Sequence, residues 1–164
     1  LLIETKLPVQ ITYRKLNNPY VDSRIRKQRE KNGAKFLIQK SGQTSARNLL
    51  KALKNNQSIA MLNDQKFNEG ISVPFFGVNA MTSQGFVRLA LKTDLPLIPV
   101  IVQRNKSKFT INFYEPINFI RTRNKSLDVE NGVIQINRFI EDRVKENPDQ
   151  WFWAHKRWPN IHYK

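Results

Sequence analysis

The hydrophobic pattern of the first sixty residues predicts three strands with helices between them. Residues 9–13 alternate in polarity, and residues 34–39 and 58–62 are short apolar runs, so each segment predicts a β-strand. Residues 20–32 lie between the first two strands and predict a helix, which Gly33 ends.

A second helix is predicted between the second and third strands. Its apolar positions recur at intervals of three and four residues: Ala46, Leu49, Leu50 and Leu53. Thr44 or Ser45 would cap its N-terminus, and Asn55-Asn56 would end it.

The pattern continues beyond residue 80 with one helix and two strands. Thr82 is predicted to cap a helix over residues 83–92. The inward positions of this helix are Phe86, Leu89 and Ala90. Residues 95–102 are almost continuously apolar, which is typical of a strand covered on both faces. Residues 109–114 alternate and predict a strand nearer the edge of a sheet.

A last amphipathic helix is predicted after a basic loop over residues 121–128. Its apolar positions are Val133, Ile136, Ile140 and Val144. Asn147-Pro148 halts it, because the residue before a proline is disfavoured in a helix.

This alternation of strands and helices predicts an α/β fold. We expect a mostly parallel sheet flanked by helices on both faces. A length of 164 residues fits a single domain with its own core, so we predict one domain over residues 1–164.

The stretch from Met61 to Gly77, MLNDQKFNEGISVPFFG, is the first candidate for a site. A strand there ends at Asn63-Asp64 and a polar loop follows, and ligands of α/β sheets bind beyond the carboxyl ends of strands. The apolar residues 73–77 need either a core to enter or an apolar ligand to line. A strand, a loop and a packed phenylalanine pair would explain the same pattern.

The charge of the chain narrows the class of partner. Lys and Arg number 28 against 13 Asp and Glu, a formal net charge of +15 with a pI near 10.3. Such a surface fits nucleic acid, an anionic membrane face, phosphorylated lipid or an acidic protein. The absence of cysteine and the presence of only two histidines exclude Cys-ligated and His-rich metal sites.

Three groups of residues could carry chemistry, and each has a structural alternative. Residues 24–31 hold five cations in eight positions, which could bind anions or form a solvated face. Asp64 could orient a base, bind a hydroxyl or pair with a cation such as Lys66 or Arg29, or it could simply start a turn. Residues 151–158 mix Trp with basic residues, which suits a membrane interface or stacking on bases. Alternatively, the tryptophans 151 and 153 pack while the cations 156 and 157 stay exposed.

Several motifs together resemble a known family, the lipid A biosynthesis (lauroyl/myristoyl) acyltransferases. The resemblance runs in order along the chain from about residue 8 to residue 159. It rests on Tyr13-Arg14, Asn18-Pro19, Arg29, Asn63-Asp64-Gln65, Val73-Pro74-Phe75-Phe76-Gly77 and the ending PDQWFWAHKRW from Pro148 to Trp158. The resemblance implies the glycerol-3-phosphate acyltransferase type of α/β fold, truncated here at the N-terminus.

The resemblance also implies an activity: transfer of a fatty acyl chain from acyl carrier protein or acyl-CoA to a hydroxyl of a lipid A precursor, in lipopolysaccharide biosynthesis. The family uses a His-x4-Asp/Glu motif and an N-terminal membrane helix. Neither is found in these 164 residues, so we expect a fragment that is inactive by itself. A degraded remnant that folds poorly would be a further interpretation.

By position, the resemblance implies that Arg29 and Asp64 are the catalytic residues of this segment. Arg29 would bind an anion or oxyanion, and Asp64 would position substrate or an arginine. The candidate substrate-binding residues are Lys66, Phe75, Phe76 and Arg104. No metal and no cofactor are expected, apart from the acyl donor as co-substrate.

The expected partners are acyl carrier protein, a lipid A precursor and an anionic membrane surface, and no nucleic acid. The expected location is the cytoplasmic face of the bacterial inner membrane, with this fragment bound peripherally. The alternative hypothesis, carried by charge and aromatic residues, is a basic α/β domain that binds nucleic acid.

Overall fold

In the computed structural model, residues 8–13, 15–38 and 43–163 are described. The chain forms two compact units, residues 1–62 and residues 63–164. The single domain over residues 1–164 stays a prediction.

The first unit is a small α/β unit with a parallel sheet. Its elements are β1 (Val9–Tyr13), α1 (Pro19–Lys31), β2 (Lys35–Ile38), α2 (Gln43–Lys54) and β3 (Ser58–Ala60). β1 lies in the middle and pairs in parallel with both β2 and β3. The three predicted strands and two predicted helices are confirmed in their predicted order.

Local capping chemistry sets both ends of α1. The side-chain oxygen of Asn18 accepts hydrogen bonds from the backbone N–H groups two and three residues later, and Pro19 stands at the first helical position. Gly33 has a φ of 85°, and its N–H and that of the next residue bond to the carbonyls of Glu30 and Arg29. This is the Schellman arrangement, and it confirms the role predicted for Gly33.

The predicted cap of α2 is wrong. The helix begins at Gln43, so Thr44 and Ser45 have helical backbone in its first turn instead of the non-helical backbone of a cap residue. The end is confirmed: α2 stops at Lys54, and Asn56 has a positive φ of 55°.

The second unit contains two antiparallel ribbons. Its strands are β4 (Ile71–Phe75), β5 (Val78–Thr82), β6 (Val100–Asn105) and β7 (Lys108–Phe113). β4 pairs with β5, and β6 pairs with β7. The α/β class is therefore confirmed, but parallel pairing among the described residues is confined to the three strands of the first unit. Connections of only two residues join the strands of each ribbon, and such connections produce antiparallel hairpins.

The helices of the second unit are α3 (Gly85–Thr93) and α4 (Lys125–Glu146), followed by two 3₁₀ turns, Pro148–Gln150 and Asn160–Tyr163. Residues 125–128, predicted as part of a basic loop, already belong to α4. The core of the unit includes Val73, Phe75, Val87 and Val133, each at most 1% exposed. No helix of the described residues is long and apolar enough to cross a membrane.

Three sequence predictions need correction in this unit. Thr82 is not a helix cap: it is the buried last residue of β5, and α3 begins at Gly85. The apolar run over residues 95–102 forms a strand only from Val100, because two prolines interrupt its first half. Val100 and Val102 are 44% and 57% exposed, so this strand is not covered on both faces.

Candidate functional site

The cationic face of α1 carries Arg29 in the first unit. Arg24 and Arg29, with Ile25 and Gln28 between them, line a shallow surface depression of about 400 Å³. Within the described part of this unit, Glu30 pairs with Arg26 at 3.4 Å, and no carboxylate lies within 4.0 Å of Arg29. The exposed guanidinium of Arg29 is therefore available to bind an anion.

Asp22 anchors this helix to the end of β1. Its carboxylate is 7% exposed and accepts hydrogen bonds from the Leu16 N–H at 2.9 Å and the Tyr13 hydroxyl at 2.8 Å. The Leu16 N–H, followed by the Tyr13 hydroxyl, lowers the pKa of Asp22. The hydrogen bond between the Tyr13 hydroxyl and Asp22 also raises the pKa of Tyr13. This pair fixes the start of the helix on which Arg29 lies.

Asp64 lies in the loop that opens the second unit, and its side chain is half-buried. Its Oδ1 atom is buried and has no hydrogen-bond partner among the described residues. The negative charge of Asp64 acts on the buried Arg157 and raises its pKa, which burial lowers more strongly. No Lys, Arg or His nitrogen of the described second unit comes within 4.0 Å of the Asp64 carboxylate.

Arg157 is the polar centre of the second unit. Its side chain is 1% exposed, and its two terminal nitrogens donate to the Met81 carbonyl at 3.0 Å and the Thr82 hydroxyl at 2.7 Å. The guanidinium carbon lies 4.8 Å from the centre of the Phe75 ring. Its Nε atom is buried without a partner among the described residues. Arg157 thus joins the C-terminal segment, residues 148–158, to the end of β5.

Phe75 is enclosed by aromatic side chains. It is 0% exposed, and its ring centre lies 5.8 Å from that of Trp151 and 5.6 Å from that of Trp158. The Trp158 indole N–H donates to the Phe75 carbonyl at 2.9 Å. Phe76 packs edge-on against Phe75, and its N–H donates to Glu141 at 2.7 Å. These contacts favour the packing interpretation for Phe75, and its role in substrate binding stays a prediction.

His155 holds the polar loop in place. Its Nε2 atom accepts a hydrogen bond from the Lys66 N–H at 2.9 Å, so the loop beside Asp64 is tied to the C-terminal segment. The Lys66 side chain itself is half-buried. Accepting this bond requires an unprotonated Nε2, which assigns a structural task to this histidine.

Arg104 is exposed in β6, at the outer edge of that strand. Its backbone N–H donates to the Gln150 side chain at 2.8 Å, and its carbonyl accepts from the same side chain at 3.2 Å. Its Nε donates to the Lys106 carbonyl at 3.0 Å.

The structure therefore gathers the motifs of the second unit, NDQ, VPFFG and the C-terminal segment, around one buried arginine. A comparison with protein families decides what they belong to. The sequence matches the family described as bacterial lipid A biosynthesis acyltransferase over residues 2–160. The chain belongs to this family. A search of curated proteins finds no match.

Within this lipid A acyltransferase chain, the predicted residues fall into both units. Arg29 lies in the first unit. Asp64, Lys66, Phe75, Phe76 and Arg104 lie in the second unit. The hydrogen bond between the Lys66 N–H and His155 joins the polar loop to the C-terminal segment. Arg157 packs against the Phe75 ring, and the negative charge of Asp64 raises the pKa of Arg157.

The burial of Arg157 was not predicted from the sequence. The packing alternative left Arg157 exposed and packed Trp153, whereas Arg157 is 1% exposed and Trp153 is 54% exposed. The resemblance to the family's ending was the available signal, because it places an arginine beside tryptophans at a fixed position.

Proposed function

We propose that this chain provides the acceptor-binding part of a lipid A acyltransferase. A fatty acyl chain would pass from acyl carrier protein or acyl-CoA to a hydroxyl of a lipid A precursor. The observation that carries the proposal is the family match over residues 2–160, which spans almost the whole sequence. The +15 charge supports it, because lipid A phosphates and the carrier protein are anionic.

The reaction joins the acceptor hydroxyl oxygen to the thioester carbonyl carbon. A base takes the hydroxyl proton, the carbonyl oxygen becomes negative in the intermediate, and the thiolate leaves as that carbonyl re-forms. Arg29 would bind acceptor phosphate or stabilise the oxyanion, since its guanidinium is exposed on a cationic helix face. Asp64 would position substrate from the half-buried loop.

The base is the part that this sequence does not supply. His155 is followed five positions later by Asn160, not by an acid, and its Nε2 already accepts the Lys66 N–H. We therefore propose that residues 1–164 bind the acceptor and depend on a His-x4-acid motif outside them for turnover.

Acyl transfer to a lipid A precursor tests this proposal. The 164-residue chain is compared with the same chain joined to an upstream segment that carries the His-x4-acid motif of another family member. We expect the joined chain to transfer and the 164 residues alone to give little or no product. Full turnover by the 164 residues would disprove the missing base, and a folded but inactive joined chain would contradict the enzymatic role.

We further propose that the protein works at the cytoplasmic face of the bacterial inner membrane, where its lipid acceptor resides. The cation surplus supports this location, because anionic lipid attracts basic surfaces.

A further inference from the structure

One face of the ribbon formed by β6 and β7 is apolar and exposed. Residues directly opposite each other in an antiparallel pair share a face. The pairing register places six side chains on this side, which we name the ribbon face: Val100, Val102, Arg104, Phe109, Ile111 and Phe113. Val102, Phe109 and Phe113 are 57%, 60% and 59% exposed. Apolar side chains clustered in this way mark an interaction surface more often than scattered ones do.

The other side of the ribbon already has its contacts. Asn112 donates to the Gln103 side chain across the two strands at 2.8 Å. Directly after β7, Tyr114 packs edge-on against Phe139 of α4, and the Arg143 guanidinium lies 5.2 Å from the Tyr114 ring centre. The base of the ribbon is thus fixed on the second unit by the side opposite the ribbon face.

The outer edge of β6 is closed at Arg104. The Gln150 side chain accepts from its N–H and donates to its carbonyl, which are the two groups that an added strand would need. A partner at this position therefore meets the ribbon face and not the strand edge.

Charge identifies the kind of partner. Residues 95–114 contain three cations, Arg104, Lys106 and Lys108, and no Asp or Glu. All three are exposed at the tip of the ribbon. Arg104 lies on the ribbon face itself, Lys106 lies in the turn, and Lys108 lies on the opposite side. Aromatic side chains that enter the apolar edge of a bilayer, with cations at the depth of the phosphates, form the usual interfacial arrangement. A second copy of this chain would bring like charges together.

We propose that the ribbon face docks on an anionic lipid bilayer. Phe109 and Phe113 enter the interface, and Arg104 and Lys106 contact lipid phosphates. The proposal rests on the proposed function in one respect: a lipid acceptor reaches the enzyme from such a surface.

Binding of the 164-residue chain to lipid vesicles tests the docking. The vesicles contain phosphatidylglycerol and phosphatidylethanolamine, and phosphatidylcholine vesicles serve for comparison. The Phe109→Thr/Phe113→Thr variant keeps residues that favour strands and removes both rings. We expect this variant to bind the anionic vesicles at least about tenfold more weakly. The Arg104→Gln/Lys106→Gln variant should weaken binding and reduce its dependence on salt.

Leu127→Thr is the matched control, because it removes a side chain that is 45% exposed on α4, away from the ribbon. We expect it to bind like the wild type. Unchanged binding by the double phenylalanine variant overturns the proposal. So does a dimer in sedimentation equilibrium that this variant dissociates, because the face then binds a second copy. A lowered midpoint of thermal unfolding overturns it as well, since the face would then be covered within the protein.

The outcome is separable from that of the proposed function. Vesicle binding needs no lipid A precursor, and acyl transfer can be measured with acceptor dispersed in detergent. Loss of vesicle binding with intact acyl transfer in detergent would overturn the docking proposal and leave the proposed function intact. Vesicle binding without acyl transfer would contradict the proposed function and leave the docking proposal intact.

Discussion

At the scale of single residues, Arg157 carries the largest prediction for stability. Arg157→Met removes the two hydrogen bonds that the charged guanidinium donates to the Met81 carbonyl and the Thr82 hydroxyl. Because hydrogen bonds to charged groups are worth about 1.5–3 kcal/mol each, we expect a loss of about 3 kcal/mol. Urea denaturation, extrapolated linearly to water, measures the free energy of unfolding.

The matched control for this substitution is Arg138→Met, because Arg138 is exposed on α4. We expect it to change the free energy of unfolding by less than about 0.5 kcal/mol. If both variants unfold at the same urea concentration, the buried guanidinium does not stabilise the unit.

Asp22 carries a prediction about pH. Its pKa is lowered below the ordinary value of 3.8, so its contribution to stability is present above that value. The contribution is lost as the pH falls through the lower pKa of the folded state. We expect Asp22→Asn to be less stable than the wild type at neutral pH and to lose less stability in acid. The free energy of unfolding, measured across the acid range, checks this.

Asp149→Asn serves as the control, since it makes the same substitution at an exposed residue. An Asp22→Asn variant whose stability falls in acid as steeply as that of the wild type would contradict the role given to the Tyr13 and Leu16 hydrogen bonds.

Single-residue environments were the hardest part to predict from the sequence. Arg157 donates hydrogen bonds to Met81 and Thr82, which precede it in the sequence by 76 and 75 positions. No local pattern therefore predicts that Arg157 is buried. Its neighbour Lys156 has the same polarity and is exposed. Threonine is a residue type that often caps helices, but the Thr82 hydroxyl accepts a hydrogen bond from Arg157 at the end of β5.

At the scale of elements, the β4–β5 hairpin depends on two glycines for different reasons. Gly77 has a φ of 75° in the turn with open space around it, whereas a Cβ on Gly70 would lie 2.0 Å from the Thr82 carbonyl oxygen. Gly77→Ala should cost about 1 kcal/mol, which is the strain of a left-handed backbone. Gly70→Ala should cost about 3 kcal/mol, because backbone must move.

Thermal unfolding of the two glycine variants measures this difference. Gly85→Ala is the control, since a Cβ there meets only the Ser83 hydroxyl at 3.8 Å and its φ is not in the left-handed region. Equal midpoints for Gly70→Ala and Gly77→Ala would contradict the close approach at Gly70.

The elements that could be predicted were those with local signals. β1 follows from the alternation of its residues, the end of α1 from Gly33, and the end of α2 from Asn55-Asn56. The hairpin at VPFFG was missed because Phe76 takes a positive φ of 51° in the turn, and a phenylalanine does not predict a positive φ. Partner choice between strands is not local either, so β6 and β7 were expected as parts of a mostly parallel sheet.

At the scale of the whole molecule, the net charge is evident from the sequence, but it does not identify the partner. A net charge of +15 fits phosphorylated lipid and nucleic acid equally well. The family match favours lipid. Nucleic acid binding remains the alternative hypothesis, and it predicts binding to generic DNA that falls steeply with salt.

The most direct measurement is binding of the 164-residue chain to vesicles that contain a phosphorylated lipid A precursor, with generic duplex DNA as competitor. Arg29→Ala is compared with Lys27→Ala, which removes the same charge from α1 but does not line the depression at Arg29. We expect binding that DNA does not displace, weakened at least about tenfold by Arg29→Ala and much less by Lys27→Ala. Equal binding by both variants, or displacement by DNA, would contradict recognition of the lipid acceptor through Arg29.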